Sequence, residues 1–555
     1  MEILNIENLS FCYPASSSKA LNEISLSVNE GDFIVLCGKT GCGKTTLLRM
    51  IKRELSPYGE RSGKVSFKGK DILNMPREKS ASEIGFVLQK PEQQIVTDKV
   101  WHELAFGLES LGMKSEAIRL RCGEMANYFG IHGWINSSTD KLSGGQKQLL
   151  NLASVMAMSP SLLLLDEPTS QLDPIAAADF ISTLKKLNRE LGLTIIMSEH
   201  RLEEVFPAAD KVIVMSDGEI LMYDKPEAVA EKLIGNDLAV GLPSAARIYH
   251  GLDINTTCPL TVNQGRRFLN ENFFDEPDEA ETVTYEHSDK AVVTLSDVWF
   301  RYEKNSEDVV KGLSLEIYSG EFYCILGSNG VGKSTVLNIC AGLSRQYSGN
   351  VRIMGKKLSL YKNNQLYDNC VAMLPQNPDT VFSLETVRDE LNDVCKSMNC
   401  DNEEAQKQIN DICVVTGITQ LLDRHPYDLS GGEQQKAAIA KILLRKPTIL
   451  LLDEPTKCLD AASKRSLSLL LKELKEDGVT IIAVSHDVEF AAENADRCGL
   501  MFDGTVISQS VPQEFFSRNN FYTTAASRIS RTVMKNAVTC GQVVERCLKL
   551  KRRTR

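Results

Sequence analysis

Two short strings constrain this 555-residue chain more than anything else in it: "GKTGCGKT" from Gly38 to Thr45 and "GSNGVGKS" from Gly327 to Ser334. Both satisfy G-x-x-x-x-G-K-[ST], the pattern of a phosphate-binding loop. Each follows a short apolar run, "FIVLC" or "FYCIL", and each precedes a segment with helix-compatible apolar spacing. Strand, loop and helix in that order let Gly38, Gly41, Gly43 and Gly327, Gly330, Gly332 turn backbone N–H groups around phosphate. The helix terminus adds a favourable dipole. Lys44 and Lys333 would reach the terminal phosphates, and Thr45 and Ser334 would place hydroxyls on magnesium, with Thr46 and Thr335 next in the same turns. A glycine-rich turn carrying a surface lysine is the other reading of one such string. Two strings in the same context weaken it.

A second constellation repeats as well. "SLLLLDEP" carries Asp166 and Glu167, and "TILLLDEP" carries Asp453 and Glu454. A continuous apolar run reads as a central parallel strand covered on both faces. Its acidic pair then lies at the carboxyl end, where α/β proteins place their sites. The aspartate can hold magnesium and the glutamate can orient a water and take its proton. A solvated acidic pair is the alternative, but it does not account for the duplication. Spacing decides between one machine and two. Ser143 to Asp166 and Ser430 to Asp453 are both 23 residues; Lys44 to Gln89 is 45 and Lys333 to Gln376 is 43; Asp166 to His200 is 34 and Asp453 to His486 is 33. A shared order at near-constant spacing predicts two homologous nucleotide-binding domains.

Composition sets outer limits. Apolar residues are 43% and charged residues 25%, a soluble balance, and the net charge of -10 argues against a general nucleic-acid binder. The apolar runs are too short to cross a bilayer, which needs about 20 residues. The start, "MEILNIENLSF", lacks the basic and apolar regions of a signal peptide, so a cytosolic chain is expected. None of the 15 cysteines stands at CxxC spacing, which favours reduced packing thiols over a metal site; Cys42, inside a glycine-rich loop, is the one whose oxidation could matter.

With "LSGGQ" at Leu142–Gln146 and "LSGGE" at Leu429–Glu433 added, the sequence resembles the ATP-binding cassette family over nearly all of both halves. The resemblance implies an α/β fold of two P-loop NTPase cassettes in tandem, each with a helical signature subdomain, using ATP and Mg2+. It implies adenine stacking by Tyr13 and Tyr302, which by themselves could equally be core tyrosines. It implies magnesium and partner sensing by Gln89 and Gln376, and magnesium contacts from Thr45, Asp166, Ser334 and Asp453. It implies catalytic roles for Glu167, Glu454, His200 and His486. It further implies head-to-tail pairing within the chain. Lys44 would work opposite Ser430, Gly431, Gly432 and Glu433, and Lys333 opposite Ser143, Gly144, Gly145 and Gln146. The serines also read as plain helix caps, and both readings can hold at one helix start. Two hydrolytic sites are expected. Lys457 in "KCLD", where the first copy has Ser170 in "SQLD", puts equal turnover in doubt.

Within the family, "PEQQIVTDKVWHELAFGLESLG" (91–112), "MSEHRLEEV" (197–205) and "LPQNPDTVFSLETVRDEL" (374–391) resemble the ATPases of energy-coupling-factor importers. That resemblance implies a membrane coupling protein and a small substrate-binding membrane protein as partners. It places the chain peripherally on the cytoplasmic face of the cell membrane, with no nucleic acid partner. Trp101, Leu104, Phe106 and Leu108, mixed with Glu103 and Glu109, could form the docking patch, or could simply pack a helix. Sugar importers and soluble tandem-cassette translation factors are the alternatives. The acidic tract 269–289 reads as a flexible linker that would repel RNA, and the basic tail "CLKLKRRTR" as solvated. The domains are expected at 1–235, a connecting segment at 236–290, a second cassette at 291–520 and a basic extension at 521–555.

Overall fold

The computed structural model covers the whole chain and describes it except for residues 15–17, 253, 255, 274–287, 289, 399–400, 458 and 554–555. It divides into two compact units, 1–246 with 255–261, and 247–254 with 262–555. Among the described residues no helix is long and apolar enough to cross a membrane.

The first unit has two sheets. In the antiparallel sheet the order is Lys19–Asn29, Glu2–Cys12, Glu60–Phe67, Lys70–Asp71. The second sheet runs Glu219–Asp224, Lys211–Ser216, Phe33–Gly38, Thr194–Ser198, Leu162–Asp166, Ile84–Val87, and only its Glu219–Asp224 edge is antiparallel. Every residue of Leu162–Asp166 and of Thr194–Ser198 is buried, which explains why these strands read as unbroken apolar runs rather than alternating ones. Their parallel register sets Asp166 beside Ser198. The second unit repeats both sheets, with Phe322–Leu326, Ile449–Asp453 and Thr480–Ser485 at the centre and Asp453 beside Val484. Three helices form the signature subdomain in each: Val100–Ser110, Ser115–Tyr128 and Gly144–Ala157, then Val387–Ser397, Asn402–Thr416 and Gly431–Leu443. The α/β double-cassette expectation is met.

The stretch expected to connect the cassettes is more structured than its composition suggests. Helices Ser244–His250 and Val262–Asn272 lie within it, the latter burying Phe268 and Leu269. Of the acidic tract 269–289, the part from 274 onward lies outside the described residues apart from Ser288. The basic extension after residue 520 is largely helical and packed, and in its final run Cys547 is buried while Leu548 and Lys549 are exposed. Helix Ala525–Ser530 buries Ala525, Ala526, Ser527, Ile529 and Ser530. Helix Cys540–Arg553 buries Val543 and Cys547 and presses Val544 onto Gly251, where an added Cβ would lie 2.6 Å from a valine methyl. Regular apolar spacing in both helices supplies the burial that their basic charge masks.

The docking patch expected on Val100–Ser110 is also corrected. Leu104 and Leu108 are core residues, and Glu103 is buried with its carboxylate accepting from Val96 N, Thr97 N and Thr97 Oγ1 at 2.9–3.0 Å. Phe106, at 44% exposure, and Val96, at 67%, are the large apolar groups this region shows to solvent. The 3.6-residue period buries positions 104 and 108 together and turns 106 outward.

Candidate functional site

Each phosphate-binding loop links a central strand to a helix, Phe33–Gly38 to Lys44–Ile51 and Phe322–Leu326 to Lys333–Cys340. The glycines are needed for two different reasons. Gly41 and Gly330 have φ of 82° and 83° with open space around them. Gly38 and Gly43 also have positive φ, but a Cβ there would lie 2.2 Å from Met215 O and 2.4 Å from Ala20 O. The loop is therefore wedged between neighbouring backbones. Lys44 Nζ donates to Gly38 O at 2.9 Å and Lys39 O at 3.0 Å, and Lys333 Nζ donates to Gly327 O and Ser328 O at 2.9 Å. Each lysine is thus held over its own loop.

The acidic strand ends meet these loops. Thr45 Oγ1 donates to Asp166 Oδ1 at 2.9 Å, and Ser334 Oγ to Asp453 Oδ1 at 2.9 Å. A hydroxyl beside a carboxylate, both hard oxygens, fits Mg2+ held by few protein ligands together with nucleotide phosphates. Burial raises the carboxyl of Asp166, and it raises that of Asp453 to about 6 against the relief given by Ser334.

Glu167 and Glu454 both carry positive φ, 43° and 50°, a conformation costly for a residue with a Cβ. In the first unit Glu167 Oε1 contacts His200 Nε2 at 2.8 Å and Glu167 Oε2 accepts from Gln89 Nε2 at 2.7 Å. In the second, Glu454 Oε2 takes both His486 Nδ1 at 2.7 Å and His486 N at 3.3 Å. Burial pushes the Glu454 carboxyl up, but the His486 contacts outweigh it and hold the group below its ordinary range. Gln376, unlike Gln89, is exposed and has no side-chain hydrogen bond among the described residues.

The tyrosines are not core residues. Tyr13 is 38% and Tyr302 65% exposed; their hydroxyls meet Thr46 Oγ1 at 3.1 Å and Thr335 Oγ1 at 2.9 Å, and each ring rests edge-on against Phe11 or Phe300. Each signature caps a helix. Gln146 N donates to Ser143 Oγ at 3.3 Å while Ser143 N donates to Gln146 Oε1 at 2.9 Å; Glu433 and Ser430 make the same reciprocal pair at 3.4 and 2.9 Å. Gly144 and Gly145 lie against Gln171 and Leu172, and Gly432 lies against Leu459 and Ser463, so each signature backs onto its own unit's "SQLD" or "KCLD" segment. Both units make the backbone bond there, Ser170 N to Glu167 O at 3.2 Å and Lys457 N to Glu454 O at 3.1 Å, but the buried Ser170 adds a hydroxyl bond to Glu167 O at 2.8 Å that the half-buried Lys457 has no hydroxyl to make. Cys42 is buried, and burial raises its thiol pKa despite Lys44, so the reactive thiolate is disfavoured.

Three contributors escape a motif reading. Ser198 donates to Asp166 Oδ1 at 2.8 Å and accepts from Glu167 N at 3.0 Å. Tyr522, beyond the second cassette, accepts from Gly327 N at 3.1 Å. Glu199 is 1% exposed, accepts from Thr169 N and Oγ1 at 2.9 and 2.6 Å on one oxygen, and from His200 N at 3.1 Å on the other. Site two has Ser485 at this position. The glutamate immediately before His200 was the available signal. In the first unit Glu199 holds the histidine backbone and leaves Glu167 Oε2 to Gln89; in the second Glu454 does both tasks itself. An amide offers one acceptor oxygen where the carboxylate uses two. Glu199→Gln therefore faces an N–H with an N–H, costing about 1–3 kcal/mol. Measured in a Glu454→Gln background, first-site turnover is expected to fall roughly tenfold or more; an unchanged rate would refute the positioning role.

The phosphate-binding loop, acidic pair, histidine and signature occur twice, and comparison with known proteins agrees. Residues 21–170 and 310–457 match the ABC transporter family. The chain belongs to that family. It is 41% identical over 550 residues to an ABC transporter ATP-binding protein of Bacillus cereus, spanning 98% of this chain and 97% of the other. It is 33% identical to one from Methanosarcina mazei, spanning 93% and 90%. Among solved structures it resembles an archaeal ribosome recycling factor in complex with ribosomal stalk protein, at TM-score 0.57 and 23% identity, covering 92% of this chain and 91% of the other; at that identity the likeness speaks to fold alone. This ABC protein is a tandem-cassette ATPase that binds and hydrolyses ATP with Mg2+.

Proposed function

We propose that this ABC ATPase energises an energy-coupling-factor importer for a vitamin, vitamin precursor or metal ion. It would work at the cytoplasmic face of the membrane, with a membrane coupling protein and a small substrate-binding membrane protein as partners. The observation that carries the reading is the Gln89–Glu167 bond of 2.7 Å. It ties the catalytic carboxylate to the loop that leads into exposed Val96 and Phe106. An apolar exterior joined to a catalytic group is what coupling needs, because a partner pressing on the loop changes the orientation of Glu167. The choice of importer class is supported by the residues at 91–112 and 197–205, and by both sites keeping a lysine, glutamate and histidine, where fused sugar-import ATPases often have a degenerate second site.

In this reading, which follows the family resemblance, ATP would draw the cassettes together. Lys44 or Lys333, with the loop amides, would hold the phosphates. Thr45 with Asp166, or Ser334 with Asp453, would hold the magnesium, and Tyr13 or Tyr302 would stack the adenine. The Ser143 or Ser430 helix start would add its hydroxyl and amides to the phosphate. Glu167 and Glu454 orient the attacking water, and His200 and His486 fix the glutamates and sense the γ-phosphate. Magnesium supplies charge neutralisation for the transferring phosphoryl group.

Affinity purification of the tagged chain from native membranes in mild detergent, followed by mass spectrometry, tests the assignment. Recovery of a polytopic coupling protein with a small membrane receptor is expected, and Phe106→Asp should remove both. Recovery of ribosomal particles instead, surviving nuclease and salt controls, would overturn it.

A further inference from the structure

Three arginines converge in the second unit, far from both catalytic glutamates in sequence. Arg266 lies on helix Val262–Asn272, Arg528 on helix Ala525–Ser530, and Arg531 follows directly after it. The two helices pack together, and Arg266 donates to Arg528 O, 262 positions on, from Nε at 3.3 Å and Nη2 at 2.8 Å. Arg528 Nη2 donates to Thr523 O at 3.2 Å, and Arg531 Nη1 to Asn520 Oδ1 at 3.1 Å. These contacts leave donors over. Arg528 Nε, Arg531 Nε and Arg531 Nη2 are buried without an acceptor among the described residues.

Nor does a carboxylate of the described residues neutralise the group. Among the described residues none of the three is in an ion pair, and the acids of the adjoining helix Val488–Asn494 are turned to other partners, Glu489 to Ala525 N and Glu493 to Arg247. Like charges therefore crowd together: burial, and then the neighbouring Arg266 and Arg528, lower the Arg531 pKa. Burying unpaired guanidinium donors is costly, so a fold that gathers three of them ordinarily has an anion to gain. All three side chains are half-buried, which leaves an approach from solvent.

We propose that Arg266, Arg528 and Arg531 form a binding site for a phosphoryl group, separate from the two ATP sites. A guanidinium fork matches the oxygens of phosphate and carboxylate alike. Three neighbouring positive charges, with open donors on Arg528 and Arg531, favour the ligand with three oxygens and about two negative charges over a carboxylate with two oxygens and one. The loop beneath the arginines includes Tyr522, whose hydroxyl accepts from Gly327 N, so the ligand would sit on a segment in contact with the second phosphate-binding loop.

The test uses the full chain with both nucleotide sites saturated by ADP, so that the P-loops do not take up the probe. Inorganic phosphate and pyrophosphate are titrated calorimetrically. Vesicles of phosphatidic acid, and of phosphatidylcholine as control, are tested by co-sedimentation. Binding of a soluble phosphate that falls at least tenfold in Arg266→Gln/Arg531→Gln, with ADP binding unchanged, supports the site. Sedimentation with phosphatidic acid alone, lost in the same variant, supports it with a lipid headgroup as the source. Failure of every probe to bind, or equal binding by the variant, overturns it. Thermal melting of ligand-free Arg531→Gln is a second check: relief of like-charge crowding predicts a Tm equal to or above that of the parent, whereas a lowered Tm with lost ADP binding would mark the arginine as structural and sink the proposal.

Discussion

Replacing Glu167 and Glu454 together by glutamine is expected to cut steady-state ATP turnover by about 10²–10⁴-fold, the usual contribution of a positioned general base. Nucleotide binding should survive, because the amide keeps the shape of the side chain. The geometry makes the pair unusual among the acids of the chain. Both are buried, both stand at positive φ, and both face a histidine within 2.8 Å. Strain repeated at equivalent positions points to function, since nothing in strand pairing asks for it. Phosphate release at saturating Mg·ATP reads the effect, with fluorescent-nucleotide binding as the control. A double variant keeping more than about a tenth of the rate would remove the glutamates from the chemistry. The two single variants should differ from each other. Glu167 is braced by Gln89 and, through His200, by Glu199, while Glu454 relies on His486, and Lys457 replaces the buried hydroxyl of Ser170.

Gly38→Ala should be nearly as damaging by a different route. Its new Cβ would sit 2.2 Å from Met215 O, a backbone atom of a neighbouring central strand that cannot step aside, and φ is +150°. Overpacking and backbone strain together are expected to cost about 3–5 kcal/mol. That cost should appear as a lower Tm and loss of first-site ATP binding. Gly41→Ala is the internal comparison. It has φ of 82° but nothing within 4 Å of the added atom, so it carries only the left-handed penalty of about 1–2 kcal/mol. Equal Tm losses in the two variants would show that the wedge between backbones contributes nothing. The same contrast should recur at Gly327 and Gly330, where the corresponding Cβ distance is 2.6 Å for the first and open space for the second.

Much of this molecule is readable before folding because its functional backbone is contiguous. A phosphate-binding loop spans a few residues, and its glycines, lysine and hydroxyl lie next to one another in the chain. The apolar strands that end in Asp166 and Asp453 are continuous because both faces of the sheet are covered. The helix starts at Ser143 and Ser430 need only a residue three positions on. The duplication follows from spacing alone, and the double cassette from the family resemblance of the repeated motifs.

Tertiary structure decided which partners the site residues take. Gln89 and Gln376 look equivalent as letters, yet one holds its glutamate and the other faces solvent. Ser198 reaches Asp166 only because parallel pairing sets the two strands in that register. Glu199 is next to a recognised histidine, but its use depends on Thr169 arriving from another strand end. Trp101, Leu104, Phe106 and Leu108 suggested a surface; packing against neighbouring helices buried the leucines and left only Phe106 of the four fully exposed. The packing of Val544 on Gly251, and of helix Ala525–Ser530 on helix Val262–Asn272, left no mark in the local sequence, because the partners are more than 250 residues apart. Local sequence determines which backbone shapes and which chemistries are available. Long-range packing determines which of those groups meet, because hydrogen bonds and burial depend on distances that only the folded chain sets.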